Sequence, residues 1–218
     1  MNKEFTKRLL SSVILIPIAL FFIAKGSLLF NLFILICFAI TSYEWHMMSK
    51  KKSYYIFGFI FLIISFYTAY LLRNNFHDNY IYFIMILLIC VLTDIGGYIF
   101  GKIFKGPKLT KFSPNKTYSG MIGSYLFPII GLSFFYNNLG TDASSKDIDL
   151  HIFIFLLFVS TASQLGDIVI SYFKRLSKIK DTGKIIPGHG GLLDRIDGMI
   201  FAFPFSYIIL EINIFQYF

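Results

Sequence analysis

Between Ser171 and Asp197 the chain reads SYFKRLSKIKDTGKIIPGHGGLLDRID, which places six cations, three acids, a histidine and four glycines in 27 residues. Asp194 and Asp197 stand three residues apart, so on a helix they share a face and could hold a hard cation such as Mg²⁺ against a phosphate. Helix capping explains the same two acids equally well, with Asp194 as N-cap and Asp197 at the third helical position. Pro187, Gly188, Gly190 and Gly191 let the backbone approach a ligand closely, and consecutive amides in such a turn form an anion-binding nest. A lone loop histidine such as His189 is more often a hydrogen-bonding support than a general base or a metal ligand.

Upstream, a helix expected over about 151–175 carries Ser160, Gln164, Asp167, Ser171, Lys174, Arg175 and Lys178 on roughly one third of its circumference. Phe153, Phe155, Leu156, Phe158 and Val169 fill most of the rest. A carboxylate at membrane depth costs about 2.5–3.5 kcal/mol on insertion scales, so Asp167 should face protein or water and have a cationic partner. Lys174 lies about 10 Å further along the axis, too far for direct contact, and a metal with phosphates would fill that gap. The bland alternative makes Asp167 polar glue between helices through Gln164 and Ser171, which leaves the row of cations unexplained.

A third group precedes these. Asp94 falls inside an apolar run, followed by Gly97 and Gly101 at G-x-x-x-G spacing, which lets a neighbouring helix pack closely. The next loop holds Lys102, Lys105, Lys108, Lys111 and Lys116, with Ser113, Pro114, Asn115 and Thr117 crowded around the last of them. Lysine binds phosphate as a point charge. Membrane topology accounts for the first lysines of this loop better than for Ser113, Lys116 and Thr117. Asp94, the Lys116 loop, Asp167, Lys174 with Arg175, and Asp194 all reach one side, supplying carboxylates for a divalent metal and cations for several phosphates. That equipment suits metal-assisted phosphoryl or nucleotidyl transfer, and no Walker or G-x-G-x-x-G fingerprint accompanies it.

The elements that must position these groups are membrane helices. With 56% hydrophobic residues, 27 Phe, 15% charge and a mean hydropathy of +0.68, the composition excludes an ordinary soluble domain. Apolar runs at about 8–25, 27–48, 54–72, 80–101, 119–137, 151–173 and 198–217 can each cross the hydrocarbon core. The expected fold is all-α, a polytopic integral membrane bundle of about seven transmembrane helices with cytoplasmic active-site loops, because lipid requires internal satisfaction of the backbone.

With the N-terminus cytoplasmic, 17 of the 20 cations fall on that side, leaving Lys25, Arg73 and Lys146 outside with the acidic loop containing Asp142, Asp147 and Asp149. This bias puts the C-terminus outside and explains the net charge of +8 through topology and anionic lipid, with no nucleic acid partner. The N-terminal Lys/Arg cluster followed by Leu9–Ala24 imitates a signal peptide but lacks an A-x-A site before Lys25, so retention is expected. Cys37 and Cys90 read as small fillers within helices.

At the residues already named, the chain resembles the phosphatidate cytidylyltransferases, or CDP-diacylglycerol synthases. Their signature, S-x-apolar-K-R-x4-K-D-x-G-x2-apolar-P-x-H-G-G-apolar-x-D-R-apolar-D, fits Ser171–Asp197 at every specified position. Ser163–Asp167 and the segments with Asp94, Gly97, Tyr98, Gly101, Ser113, Pro114, Lys116 and Thr117 agree with it. The resemblance runs from about Leu88 to Pro204, and residues 1–75 match only as generic membrane helices. Two regions are therefore expected, N-terminal helices over 1–75 and a catalytic membrane domain over 76–218.

The resemblance implies transfer of a cytidylyl group from CTP to phosphatidate at the cytoplasmic (inner) membrane, giving CDP-diacylglycerol and pyrophosphate. It implies Mg²⁺ as cofactor, with a second, monovalent ion and a homodimer as open options. Asp167, Lys174, Arg175, Asp194 and Asp197 form the implied catalytic set. Asp94, Asp167, Asp194 and Asp197 are its metal candidates. Ser113, Lys116, Thr117, Ser171, Lys180, His189 and Arg195 would serve substrate. An apolar groove beside the polar helix face would admit the diacyl tails from the bilayer. A CTP-dependent lipid kinase or another lipid cytidylyltransferase would use similar groups. An ion-coupled secondary transporter would spread its polar residues through the membrane depth, whereas these cluster on one side.

Overall fold

The computed structural model describes residues 3–75, 80–110, 113, 116–138, 150–188 and 190–212. Lys111, Pro114, Asn115, the acidic loop with Asp142, Asp147 and Asp149, His189 and the end of the last expected span lie outside the described residues. Eight helices are described: α1 (Lys3–Lys25), α2 (Ser27–Ser49), α3 (Tyr55–Asn74), α4 (Ile81–Phe104), α5 (Tyr118–Asn138), α6 (Leu150–Leu176), α7 (Leu193–Ile196) and α8 (Met199–Glu211). Seven of them fall on the seven apolar runs, α8 over 13 described residues of its expected 198–217. Four of them, α2, α3, α4 and α6, are long and apolar enough over their described lengths to cross a membrane. The apolar parts of α1, α5 and α8 are shorter, covering Leu10–Lys25, Tyr118–Phe134 and Met199–Glu211.

The breaks between helices have local causes. Gly26 turns the chain from α1 to α2 at φ 63°, and the Arg73 guanidinium plugs that turn by donating to the Ile23 carbonyl at 3.1 and 3.2 Å. Lys105 and Gly106 adopt left-handed φ values of 53° and 101° and end α4. α6 stops at Leu176, so Lys178, expected on its polar face, lies instead in a left-handed turn at φ 57°.

Packing turns the sequence pattern inside out relative to a soluble protein. Large apolar side chains cover the outer surface, among them Phe57, Ile64, Ile130, Phe134 and Phe158, where a bilayer is the matching solvent. One buried cluster joins Phe30, Leu72, Phe83, Ile86, Ile89, Leu132, Leu156 and Val159. A second unites Trp45, Met48, Leu62 and Phe66 with Ile170, Leu193 and Ile200, so packing runs across the expected boundary at residue 75.

α4 and α5 approach most closely, through Gly97, one of the two glycines anticipated for α4, and through Gly96, which was not. A Cβ on Gly96 would stand 2.2 Å from the Gly123 carbonyl oxygen, and one on Gly97 would stand 2.6 Å from Ser124 Oγ. Backbone cannot yield as a flexible side chain does. Gly96→Ala is therefore expected to separate α4 from α5 and destabilise the fold by about 1–3 kcal/mol, read as a lower unfolding midpoint in detergent. An unchanged midpoint would show that the helices part without cost.

Candidate active site

α6 carries Asp167, Ser171 and Lys174 along one stripe, at one end of the bundle. Ser171 Oγ donates to Asp167 Oδ1 at 3.3 Å and thereby orients that carboxylate. Its other oxygen meets Lys116 Nζ at 2.5 Å, and the same ammonium donates to the Gln164 carbonyl at 3.4 Å. Lys116 reaches across because its loop folds back on itself. Leu109 N donates to the Lys116 carbonyl and Tyr118 N to that of Pro107, returning the chain to the start of α5. The partner expected for Asp167 is thus a lysine from 51 positions earlier. Asp167 and Lys174 thus each have a partner of their own, and no contact joins them directly among the described residues.

Lys174 turns the other way. Its Nζ stands 2.9 Å from Asp194 Oδ1 and 3.9 Å from Asp197 Oδ2, and all three side chains are nearly buried. Arg175, expected to act beside it, is exposed and donates to the Ile179 carbonyl at 3.3 Å. Adjacent positions on a helix point about 100° apart, so the two cations leave α6 in different directions. Lys180 and Arg195 are also exposed.

The capping assignment for Asp194 needs revision. The residue before α7 is Leu192, Asp194 lies within the first turn, and Asp197 follows the last residue of that four-residue helix. Asp194 Oδ2 nevertheless accepts from Thr182 N at 2.8 Å and Gly191 N at 3.0 Å. With Oδ1 on Lys174, both of its oxygens are engaged. Asp194 therefore ties the glycine turn to α6.

Asp197 is buried and accepts from Gly198 N at 3.0 Å. Burial is the largest influence on its carboxyl and pushes it well above the ordinary range; the negative charge of Asp167 acts in the same direction, and Lys174 opposes them. Asp94 lies at the exposed rim, within electrostatic reach of Asp167, Lys116 and Arg195. Thr93 beside it donates to Ser160 Oγ at 3.1 Å, joining α4 to α6. Among the described residues no three His, Cys, Asp or Glu side chains form a preassembled metal shell.

Two further groups are engaged within the protein. Thr117, expected to touch substrate, accepts from Gly120 N at 3.1 Å and shares a hydrogen bond with Ser119, so its hydroxyl caps α5. Ser113 N donates to Thr110 Oγ1, and its carbonyl accepts from Lys116 N at 3.0 Å. The anion nest exists, but its anion is internal. Leu192 N and Leu193 N donate to Glu44 Oε1 and Oε2 at 2.9 and 2.7 Å, and Thr182 Oγ1 donates to Oε2 at 3.1 Å. Glu44, on α2, is 1% exposed. Sequence reasoning missed it. The signal was available, because Glu44 is an acid at the end of an apolar run, the same criterion that singled out Asp94 and Asp167.

The sequence profile of the cytidylyltransferase family matches residues 53–213, which span every one of these site residues except Glu44. The chain belongs to the cytidylyltransferase family. Within it, a phosphatidate cytidylyltransferase of Rickettsia bellii is 34% identical over 211 residues, covering 93% of this chain and 89% of the relative. That of Rickettsia felis is 34% identical over 209 residues, covering 93% and 90%. The Staphylococcus haemolyticus relative of the same name is 40% identical over 155 residues. This chain spans 54% of the staphylococcal relative's length, against about nine tenths of each rickettsial one.

Proposed function

We propose that this protein transfers the cytidylyl group of CTP to phosphatidate, yielding CDP-diacylglycerol and pyrophosphate. The observation that carries the reading is the meeting of Lys116 with Asp167, and of Lys174 with Asp194 and Asp197, at one end of an apolar bundle. Two fixed ammonium groups among acids suit a reaction whose difficulty lies in gathering phosphates, as nucleotidyl transfer does. The names of the relatives supply the substrates.

In this reading a phosphatidate phosphate oxygen attacks the α-phosphorus of CTP. A new P–O bond forms as the bond to pyrophosphate breaks, and pyrophosphate takes the electron pair. The nucleophile is already ionised at neutral pH, so no protein base is needed. Lys116, in the more exposed pair, exchanges its contact with Asp167 for a substrate phosphate. Lys174, held from below by Asp194, presents its charge from a fixed position. Gln164 buries Nε2 without a hydrogen-bond partner among the described residues, a donor suited to an anionic oxygen.

Mg²⁺ suits the donor chemistry, because Asp94, Asp167 and Asp197 offer hard oxygens, although among the described residues no three acids stand close enough to form a shell without the substrate phosphates. It would be held by those three residues and would neutralise phosphate charge during transfer. Asp194 acts through Lys174 and the glycine turn. An apolar cleft of about 290 Å³ on the flank of α6, lined by Trp45, Phe57, Phe61, Ile170, Phe173 and Phe201, supports seating an acyl tail. The charge bias supports seven spans with the N-terminus and site loops cytoplasmic and the C-terminus outside.

Purified protein with cytidine-labelled CTP, phosphatidate and a Mg²⁺ titration tests this directly. The label is expected in the lipid, with equimolar pyrophosphate released and activity lost on chelation. Transfer of the γ-phosphate alone would instead establish a lipid kinase.

A further inference from the structure

We infer that Glu44 is a positioning residue for this reaction, acting from α2 through the glycine turn on Asp194 and thence on Lys174. The inference rests on the proposed use of Lys174 at the phosphates. Its physical basis is a continuous set of hydrogen bonds. Glu44 receives Thr182 Oγ1, Leu192 N and Leu193 N, from residues 138 to 149 positions later in the chain. Thr182 N and Gly191 N then hold Asp194 Oδ2, and Asp194 Oδ1 holds Lys174 Nζ.

All three donors to Glu44 are neutral. A carboxylate buried on neutral donors gives up its hydration without the Coulombic return of an ion pair, and only well-aimed hydrogen bonds offset that cost. The turn is shaped around it. A Cβ on Gly191 would stand 2.6 Å from both Glu44 oxygens and 2.3 Å from Thr182 Oγ1, and one on Gly183 would stand 2.7 Å from Glu44 Oε1. These glycines make room for a side chain of the protein. The approach of backbone to an anion that glycines permit is thus spent on Glu44, leaving phosphate binding to Lys116 and Lys174.

Glu44 is itself well fixed. The next residue, Trp45, donates Nε1 to the Tyr55 carbonyl at 3.0 Å and packs edge-on against Phe173, 5.4 Å between centroids. Phe173 immediately precedes Lys174. Two routes therefore connect the end of α2 to the lysine, one by hydrogen bonds through the turn and one by ring packing.

The test compares Glu44→Gln, Thr182→Val, Thr182→Ser and the double variant E44Q/T182V, in detergent or vesicles. In Glu44→Gln the carboxamide turns an N–H₂ toward donors. We expect kcat per folded protein to fall at least tenfold with KM for phosphatidate within twofold, and Thr182→Val to fall similarly. Thr182→Ser keeps the hydroxyl and is expected to stay near wild type. The double variant should lose less than the product of the single losses, because both interrupt one path.

Hydrogen exchange at Thr182, Gly191, Leu192 and Leu193 should accelerate in Glu44→Gln. This readout stands even if the wild-type protein puts no label into lipid, an outcome that would defeat the functional reading alone. Where Glu44→Gln does not fold, the Thr182 pair decides: a slow valine variant with an active serine variant supports the inference. Wild-type kcat in folded Glu44→Gln, wild-type kcat in Thr182→Val, or unchanged exchange at those amides would overturn it.

Discussion

Lys174→Met is expected to eliminate cytidylyl transfer and to lower the thermal midpoint together. Its ammonium lies between Asp194 and Asp197, and the three side chains are 11%, 3% and 12% exposed. Removing the cation leaves two nearly buried carboxylates facing each other, and breaking such a pair costs about 3–5 kcal/mol. In a chain of this length that corresponds to a drop on the order of 10 °C. Loss of one fixed charge at a phosphoryl centre adds a rate loss of about 10²–10³ on the protein that remains folded. Thermal unfolding and label incorporation, measured on the same preparation, separate the two effects. A folded Lys174→Met with more than a tenth of wild-type kcat would remove Lys174 from the mechanism.

Asp167→Asn separates activity from stability. The Asp167–Lys116 pair is 29% and 24% exposed, so its contribution to folding stays below about 1 kcal/mol, and the midpoint should move little. Asparagine keeps the shape but removes the charge that steers Lys116 and could hold a cation. Activity is expected to fall at least a hundredfold, with a raised Mg²⁺ requirement in whatever remains. Cys90→Ala, a small trim of a buried thiol that carries no charge, should retain transfer and serves as the control. Activity of Asp167→Asn within twofold of wild type would show that the carboxylate only joins helices.

The two variants differ because burial differs, a quantity that the sequence hides. Asp167 and Asp197 are both acids at the edge of an apolar run, and spacing treats them alike. In three dimensions Asp167 looks out between α6 and the Lys116 loop, whereas Asp197 is enclosed where α7 meets α8. Glu44 shows the same limit from the other direction. Glu44 meets the same criterion of an acid in an apolar run as Asp94 and Asp167, but its donors Thr182, Leu192 and Leu193 lie 138 to 149 positions away, where no local pattern points to them.

Hydropathy alone suffices to place the seven apolar helices along the chain, because lipid permits few alternatives for a continuous apolar run, and four of them are long and apolar enough to cross a membrane. Side-chain chemistry in the Ser171–Asp197 motif likewise announces a dense set of cations and acids, of which Lys174, Asp194 and Asp197 come together in the fold. Partner choice is different in kind. Whether Lys174 meets Asp167 or Asp194, and whether the glycine turn receives a phosphate or Glu44, depends on which helix ends come within about 3 Å of one another. Those distances follow from the packing of α2, α4 and α5 around α6, set by contacts between residues far apart in the chain. A motif can announce its charges, but only the fold pairs them.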